Sequence, residues 1–160
     1  MTEPLKTTLC YLECRGCWLM LLRNKKPHDV NAGKWLGVGG KFLPGESPEE
    51  CLVREVREET GFSLAAWEAR GVVHFISDRF PAEDMFLFTA SVEGACDGAL
   101  PPVPECDEGT FAWVPCEEVA ALSLWEGDRI FLERLLRGEC GIDLTLEYEG
   151  DALVRASALQ

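Results

Sequence analysis

Three glutamates near the end of one predicted helix constrain this chain more than any other feature. Glu55, Glu58 and Glu59 lie within five consecutive residues, between a glycine-rich turn that ends at Gly40 and a further glycine, Gly61. Residues three and four apart share one side of a helix, so the three carboxylates repel one another. They also lie towards the C-terminal end, where the helix dipole disfavours negative charge. Such an arrangement is unfavourable unless a cation lies among the side chains.

The helix is predicted from its two ends. Ser47 is a good N-cap, Pro48 suits the first helical position, and Glu50 completes a capping box with Ser47. At the other end Gly61 can adopt the left-handed conformation that terminates helices. These signals predict a helix from about Pro48 to Thr60 between two loops.

The carboxylates favour a particular kind of cation. Hard oxygen ligands suit Mg²⁺ or Mn²⁺, and Mg²⁺ is usually held by a few carboxylates together with substrate phosphates. Arg54 can reach Glu58 one helical turn away and hold that carboxylate in a ligating orientation. The alternative is a solvated acidic helix face. The caps, the turn and Arg54, all in register, favour the metal site.

Residues 40–62 resemble the signature of the Nudix hydrolases. Every fixed position is matched: Gly40, five residues, Glu46, seven residues, and then REVREETGF at residues 54–62. The resemblance implies an α+β Nudix fold, an α/β/α sandwich around a mixed β-sheet in which the signature forms loop–helix–loop. It also implies divalent-metal-dependent hydrolysis of a nucleoside diphosphate linked to another group.

The resemblance further implies roles for single residues in the signature. Glu55, Glu58 and Glu59 match the carboxylates that bind the metal. Gly40 matches the residue whose carbonyl contacts the metal, and Arg54 and Glu46 match a supporting pair. Glu58, Glu59 and Arg54 are therefore expected to be needed for catalysis.

A further carboxylate outside the metal cluster could take a proton from the attacking water. Some members of the family place such a glutamate on a loop distant in sequence, and Glu108 in the segment CDEGTFAW is the best match. Glu105 is the alternate. The alternative interpretation is that these residues and Asp107 are solvated charges of a loop.

Two other segments resemble the branch of the family that cleaves purine nucleoside triphosphates, including oxidised ones such as 8-oxo-dGTP. They are residues 33–41, GKWLGVGGK, and residues 125–128, WEGD. In that branch an aromatic ring stacks on the purine and an acid bonds to its edge, and Trp125 and Asp128 match these roles. Alternatively, Trp125 begins a helix and Asp128 caps it. Some members of that branch carry a polar residue after the tryptophan that reads the base, whereas this chain has Leu36, so its base selectivity is expected to differ.

Lysines near the signature are candidates for contacts with phosphate. Lys41 directly follows the glycine turn, and Lys34 lies just before it, close to Lys25 and Lys26. These positive charges could attract a polyphosphate to an otherwise acidic protein. A solvated loop is the alternative.

Length and charge limit the remaining possibilities. A chain of 160 residues predicts a single domain over residues 1–160, and a net charge of −13 argues against polymeric nucleic acid or an anionic membrane as partner. The N-terminus lacks a signal-peptide pattern, and no apolar segment is long enough to span a membrane. We therefore expect a cytoplasmic protein, monomer or homodimer, whose eight cysteines are reduced thiols.

A mixed set of strands and short helices is predicted beyond the signature. The strands are residues 7–13, 17–23, 34–41, 64–77 (with a bulge or turn at Gly71), 85–92 and 110–114, the helices are residues 115–122 and 128–137, and a terminal hairpin joins residues 142–148 and 152–159.

The whole sequence predicts a Mg²⁺-dependent diphosphatase that splits a nucleoside triphosphate into monophosphate and pyrophosphate, with oxidised purine nucleotides as the leading substrates. One alternative is a diphosphatase for ADP-ribose, a nucleotide sugar or a dinucleoside polyphosphate. Another is a nucleotide-sensing module without turnover, which the complete acid set disfavours. A purely structural acidic domain is a third, and it should show no metal-dependent stabilisation.

Overall fold

The computed structural model describes residues 3–94 and 98–159, which form a mixed β-sheet and three helices. The helices are α1 (Pro48–Thr60), α2 (Cys116–Val119) and α3 (Glu126–Leu136). The strands are β1 (Leu5–Cys14), β2 (Cys17–Leu22), β3 (Trp35–Leu36), β4 (Val38–Lys41), β5 (Leu64–Ser77), β6 (Glu83–Val92), β7 (Thr110–Pro115), β8 (Ile142–Glu149) and β9 (Ala152–Ala158).

The sheet has the order β3-β2-β1-β6-β5-β8-β9, with β4 also paired to β1 and β7 also paired to β2. β1 runs parallel to β6 and β5 runs parallel to β8, whereas the other pairs are antiparallel. β1 is central because it pairs with β6 along one edge. Along its other edge it pairs first with β4, at Thr7 to Cys10, and then with β2, at Glu13 and Cys14. The glycine turn of β4 is thereby held against the middle of the sheet.

Helix α1 has the ends that the sequence predicts. The Ser47 side chain accepts a hydrogen bond from the backbone N–H of Glu50, and the Glu50 carboxylate accepts one from the backbone N–H of Ser47. Gly61 follows the helix with φ of 77°, in the left-handed region. Cys51, Leu52 and Val56 of this helix are buried, which fixes how the helix sits on the sheet.

The core lies on both faces of the sheet. On one face Leu52 and Val56 of α1 pack against side chains from β1, β2 and β6. On the other face Phe131, Leu132 and Leu135 of α3 pack against a second apolar cluster. Since α1 and α3 cover opposite faces, the predicted α/β/α sandwich is confirmed.

Some local details differ from the predictions, and one is confirmed. The strand predicted at residues 34–41 is divided at Gly37, where a Cβ would lie 2.6 Å from the Cys10 carbonyl oxygen. The helix predicted to Leu122 ends at Val119, and α3 begins two residues before the predicted start. The bulge predicted at Gly71 is confirmed, since the register shifts there and φ is 141°.

The expectation of reduced thiols throughout is wrong for Cys14, which is disulfide-bonded. Spacing along a chain does not show whether two thiols come within bonding distance, so the sequence alone could not identify this bond. Six other cysteines are free, and Cys96 lies outside the described residues.

Residues 3–94 and 98–159 contain no helix that is both long and apolar enough to cross a bilayer.

Candidate active site

One arginine holds three of the acids that the sequence singles out. The Arg54 guanidinium donates to both carboxylate oxygens of Glu46, from Nε at 2.6 Å and from Nη2 at 2.9 Å. Its Nη1 donates to Glu55 at 2.9 Å and to Glu58 at 3.1 Å. Nη2 also donates to the Lys41 carbonyl, which ties the helix to the end of β4. The Arg54 hydrogen bond, followed by one from the Leu43 N–H, lowers the pKa of Glu46 to about 2.

The glycine turn lies directly against the helix acids. A Cβ on Gly40 would lie 2.4 Å from the Glu55 carboxyl carbon, so a side chain at this position would displace that carboxylate. The Gly40 carbonyl oxygen faces the Cys51 thiol at 3.6 Å. A Cβ on Gly39 would lie 1.9 Å from the Thr8 carbonyl oxygen. The turn therefore brings backbone carbonyls and helix carboxylates together.

Burial and like charge raise the pKa values of two of the acids. The pKa of Glu59 is raised to about 8, first by burial and then by Glu55 and Glu108, while Arg23 and the Gly39 N–H oppose the shift. Burial also raises the pKa of Glu55, against the effect of Arg54. The Glu58 side chain is different, because it is 60% exposed and turned towards Arg54.

The chemistry of these groups fits a hard divalent cation. Carboxylate oxygens and a backbone carbonyl are the ligands that Mg²⁺ accepts, and a dication offsets the burial and the repulsion that raise the pKa values of Glu55 and Glu59. Within residues 3–94 and 98–159, no three His, Cys, Asp or Glu side chains already stand close enough together to hold a metal ion. Glu58 would join such a set only by turning away from Arg54.

The loop before β7 brings a fourth carboxylate to the acidic helix. Glu108 raises the pKa of Glu59, and it lies 3.5 Å from Arg23 and 3.7 Å from Lys26. Glu105, the alternate that the sequence left open, forms an isolated bridge with Thr110. Glu108 therefore lies at the site, beside both the buried helix acid and two cations.

Sequence reasoning missed Arg23, which lies near Asp29, Glu108 and Glu59. Its Nε donates to Asp29 at 2.8 Å, and its Nη1 lies 3.5 Å from Glu108. The available signal was its position, since it directly follows the buried strand β2 and precedes a polar loop. Nothing in the sequence indicates that this strand end faces Glu59.

A cleft of about 600 Å³ opens next to the turn. Trp125, Asp128 and Lys41 line it, together with the unusual Leu36. Most of the remaining lining is apolar: Leu5, Leu9, Val30, Phe75, Ile76, Phe80, Pro81 and Met85. Such a lining with a few polar groups is typical of a ligand site.

Trp125 is fixed from several sides. Its Nε1 donates to the Asn31 side-chain oxygen at 2.9 Å, and its ring meets Tyr148 edge to face with centroids 5.9 Å apart. The Lys34 ammonium lies 5.3 Å from the centre of the Trp125 ring. Lys34 is thus placed at the tryptophan, whereas Lys41 lies where the cleft meets the Arg54 network.

Asp128 lies in the first turn of α3 and is buried, but it does not cap the helix. The N-cap of α3 is Trp125, without a side-chain capping bond, and Asp128 is 7% exposed. Burial raises the pKa of Asp128 to about 7, and Glu83 raises it further, whereas Lys34 lowers it. The capping interpretation of Asp128 does not hold.

Comparisons with known proteins agree with the fold. Residues 8–135 match the NUDIX domain, and the chain belongs to the Nudix family of hydrolases acting on phosphoric anhydrides. This match covers most of the chain and includes the turn, α1 and the Trp125 segment.

Two curated relatives and one solved structure are informative. The chain is 29% identical over 152 residues to the uncharacterized Nudix hydrolase YvcI of Bacillus subtilis, covering 92% of this chain and 89% of that one. It is 28% identical over 124 residues to a mouse protein named oxidized purine nucleoside triphosphate hydrolase, covering 76% of each. A MutT protein from Bacillus halodurans superposes with a TM-score of 0.76 at 25% identity, covering 96% of this chain and 97% of that one.

Proposed function

We propose that this hydrolase splits purine nucleoside triphosphates into monophosphate and pyrophosphate with Mg²⁺, and that oxidised purines such as 8-oxo-dGTP are its preferred substrates. One observation carries the proposal: the cleft that contains Trp125 and Asp128 reaches Lys41, whose carbonyl is hydrogen-bonded to the arginine that holds the helix acids. The cleft can therefore bind a base next to a site near the helix acids where a polyphosphate can bind with metal. The name of the mouse relative supports the oxidised substrate.

In this proposal Glu55, Glu58, Glu59 and the Gly40 carbonyl hold Mg²⁺. The ion would neutralise phosphate charge and acidify a bound water. Arg54 orients Glu55, and because Glu46 occupies one edge of the Arg54 guanidinium, the orientation of that group is fixed.

Glu108 is the proposed proton acceptor. It lies beside Glu59 without belonging to α1, so it can face the water from another direction. Its ion pairs with Arg23 and Lys26 hold the Glu108 carboxylate in place beside the acids of α1. A base in hydrogen-bonding reach of the water typically accelerates such a step by about 10²–10⁴-fold.

Trp125 is proposed to stack on the purine and Asp128 to bond to its edge. The bond from Nε1 to Asn31 holds the indole ring in place, which lowers the entropy lost on stacking. Lys41 is the proposed phosphate contact at the junction of the two sites. Lys34, placed over the indole ring, is proposed to contact phosphate at the edge of the cleft.

A nucleotide panel with Mg²⁺ tests the proposal, with products resolved by chromatography. The panel contains dGTP, 8-oxo-dGTP, dATP, ADP-ribose, a nucleotide sugar and a dinucleoside polyphosphate. Wild type should release pyrophosphate from the triphosphates and should cleave 8-oxo-dGTP faster than dGTP. Glu58→Gln and Glu59→Gln should lose this activity, whereas Glu49→Gln, an exposed first-turn glutamate of the same helix, should keep it.

The panel also separates the alternatives. Faster cleavage of ADP-ribose, a nucleotide sugar or a dinucleoside polyphosphate would replace the proposed substrate while leaving the hydrolase chemistry intact. Equal rates on dGTP and 8-oxo-dGTP would remove the preference for oxidised purines. Equally low activity of wild type and both variants on every compound would overturn the proposed function.

A further inference from the structure

A second carboxylate, Glu83, faces the cleft beside Asp128. Glu83 begins β6 and lines the same cavity as Asp128 and Trp125. The Thr7 hydroxyl donates to Glu83 Oε2 at 2.7 Å, and Thr7 is only 8% exposed. A carboxylate offers about four acceptor sites, so the hydrogen bond from Thr7 fixes the side chain and leaves the other oxygen available to a ligand.

Asp128 is the other half of the pair. It is 7% exposed and lines the cavity, and in the part of the chain that the structure describes its carboxyl has no side-chain hydrogen bond or ion pair. No buried side-chain nitrogen or oxygen of the described residues lacks a partner, so the Asp128 carboxyl oxygens reach the cleft, where they can accept hydrogen bonds from a ligand. The charge of Glu83 also raises the pKa of Asp128, which indicates that the two carboxyls are near each other.

We propose that Glu83 and Asp128 together accept hydrogen bonds from two neighbouring N–H donors on the base edge, so that Glu83 selects 2-amino-6-oxopurines such as guanine. This inference rests on the proposed function and names its base class. Guanine presents N1–H and the 2-amino group side by side. Adenine presents an amino group next to an acceptor nitrogen, which would face a carboxylate oxygen unfavourably.

The rest of the cleft supports this division of roles. Leu36 offers no hydrogen bond to a ligand in the cleft, and the Asn31 side-chain oxygen is already bonded to Trp125. Lys41 lies towards the Arg54 network. The two acids are therefore the groups best placed to distinguish one purine edge from another.

A structural role for Glu83 is the competing explanation, because its bond to Thr7 joins β1 to β6. Those strands are already paired in parallel over nine residue pairs, from Leu5 with Glu83 to Glu13 with Ser91. A purely structural bond would affect thermal stability and would change the rates for all bases in parallel. Base selectivity distinguishes the two explanations.

The decisive measurement is the ratio of kcat/KM for dGTP to that for dITP, whose base lacks only the 2-amino group. Wild type should prefer dGTP. In Glu83→Gln the ratio should fall by about tenfold to a hundredfold, the usual range for a lost hydrogen bond to a charged group. Asp84→Asn is the matched control, since Asp84 is the next residue and bonds to His74 rather than lining the cleft. An unchanged ratio in Glu83→Gln would overturn the inference.

A second variant covers the case in which Glu83→Gln does not fold. Thr7→Val removes only the hydroxyl that orients Glu83, so it should lower the ratio in the same direction by a smaller factor. A Thr7→Val protein with the wild-type ratio would count against a role for Glu83 in base selection.

Binding of the products separates failure of this inference from failure of the proposed function. Calorimetry with dGMP and dIMP requires no turnover, and wild type should bind dGMP more tightly. If dGTP is not hydrolysed but wild type still prefers dGMP and Glu83→Gln loses that preference, the proposed function fails and the role of Glu83 stands. If both triphosphates are hydrolysed and the two monophosphates bind equally, the proposed function stands and the role of Glu83 is wrong.

Discussion

The Glu55 carboxylate lies directly over the backbone of Gly40, where a Cβ would come within 2.4 Å of its carboxyl carbon. The glycine turn of β4 and the acidic side of α1 are thus in contact through one residue without a side chain. The Arg54 guanidinium bonds to Glu55 in the same place, so the carboxylate is held between the turn and the arginine.

Gly40→Ala should displace the Glu55 carboxylate. The methyl group would meet only the end of a side chain that can move, so the free energy of unfolding should fall by less than the about 1–3 kcal/mol that overpacking of a rigid site costs. Activity should fall more than stability explains, because Glu55 is a proposed Mg²⁺ ligand. Chemical denaturation and hydrolysis assays measure the two effects, and wild-type activity would contradict the displacement of Glu55.

Glu59→Gln should affect the Tm of the metal-free protein and the rise in Tm on adding Mg²⁺ in different ways. The substitution removes a carboxylate whose pKa burial and the charges of Glu55 and Glu108 raise to about 8, so the metal-free Tm should stay the same or rise. The rise in Tm on adding Mg²⁺ should shrink, since binding to the folded state alone stabilises it. Scanning calorimetry with EDTA and with Mg²⁺ measures both, and Glu49→Gln is the control. An undiminished Mg²⁺ response would exclude Glu59 as a ligand.

Glu46→Gln should weaken the metal site without removing a ligand. Glu46 orients Arg54, and loss of a group that orients metal ligands commonly costs about 10–100-fold in affinity or activity. The Mg²⁺ concentration for half-maximal activity should rise by that factor. Titration of activity with Mg²⁺ tests this, and a wild-type Mg²⁺ dependence would limit Glu46 to a structural role.

The same substitution should change the acid limb of the stability profile. Because the pKa of Glu46 is lowered to about 2 from 4.5, its contribution to stability is complete above about pH 4.5 and is lost as the pH falls towards 2. Glu46→Gln should therefore lose less Tm than wild type over this range. Parallel acid-side slopes of Tm against pH would contradict the shift.

Asp128→Asn should alter the pH dependence of stability between about pH 3.8 and pH 7. The pKa of Asp128 is raised from 3.8 to about 7, so its contribution is complete below about pH 3.8 and is lost as the pH rises to 7. The slope is at most about 1.4 kcal/mol per pH unit. In Asp128→Asn the free energy of unfolding should depend less on pH between these values. Denaturant titrations at several pH values measure the slope.

Asp128→Asn should also change the ranking of bases more than the Mg²⁺ requirement. An amide keeps one acceptor and adds donors, so bases with acceptor edges should gain relative to guanine. Competition assays with the nucleotide panel measure the ranking. An unchanged order of bases, with Mg²⁺ dependence unaltered, would remove Asp128 from the base site.

Local sequence was sufficient for α1 and for the acids on it. The bonds that define its start join Ser47 and Glu50, and the left-handed residue that ends it is Gly61, all within reach of the helix itself. The reach of Arg54 to Glu58 follows from helical spacing alone, and the contact is present. The bulge at Gly71 was also predictable, since a glycine in the middle of a strand pattern is typical of one.

Contacts between distant residues were not predictable in this way. Thr7 bonds to Glu83, Arg23 faces Glu108, and Asn31 bonds to Trp125, and each pair is separated by more than 75 positions. The disulfide at Cys14 was missed for the same reason, as was the division of the predicted strand at Gly37 by its packing against β1.

The sequence alone determined a capped helix with three acids on one side, because hydrogen bonds and side-chain spacing within a few residues govern such a segment. The tertiary structure decided what faces those acids and how deeply each carboxyl is buried. Strand order places the loop of Glu108 beside Glu59 and sets Glu83 and Asp128 around one cleft. Desolvation depends on the whole surrounding shell, so the raised pKa of Asp128 exists only in the folded protein.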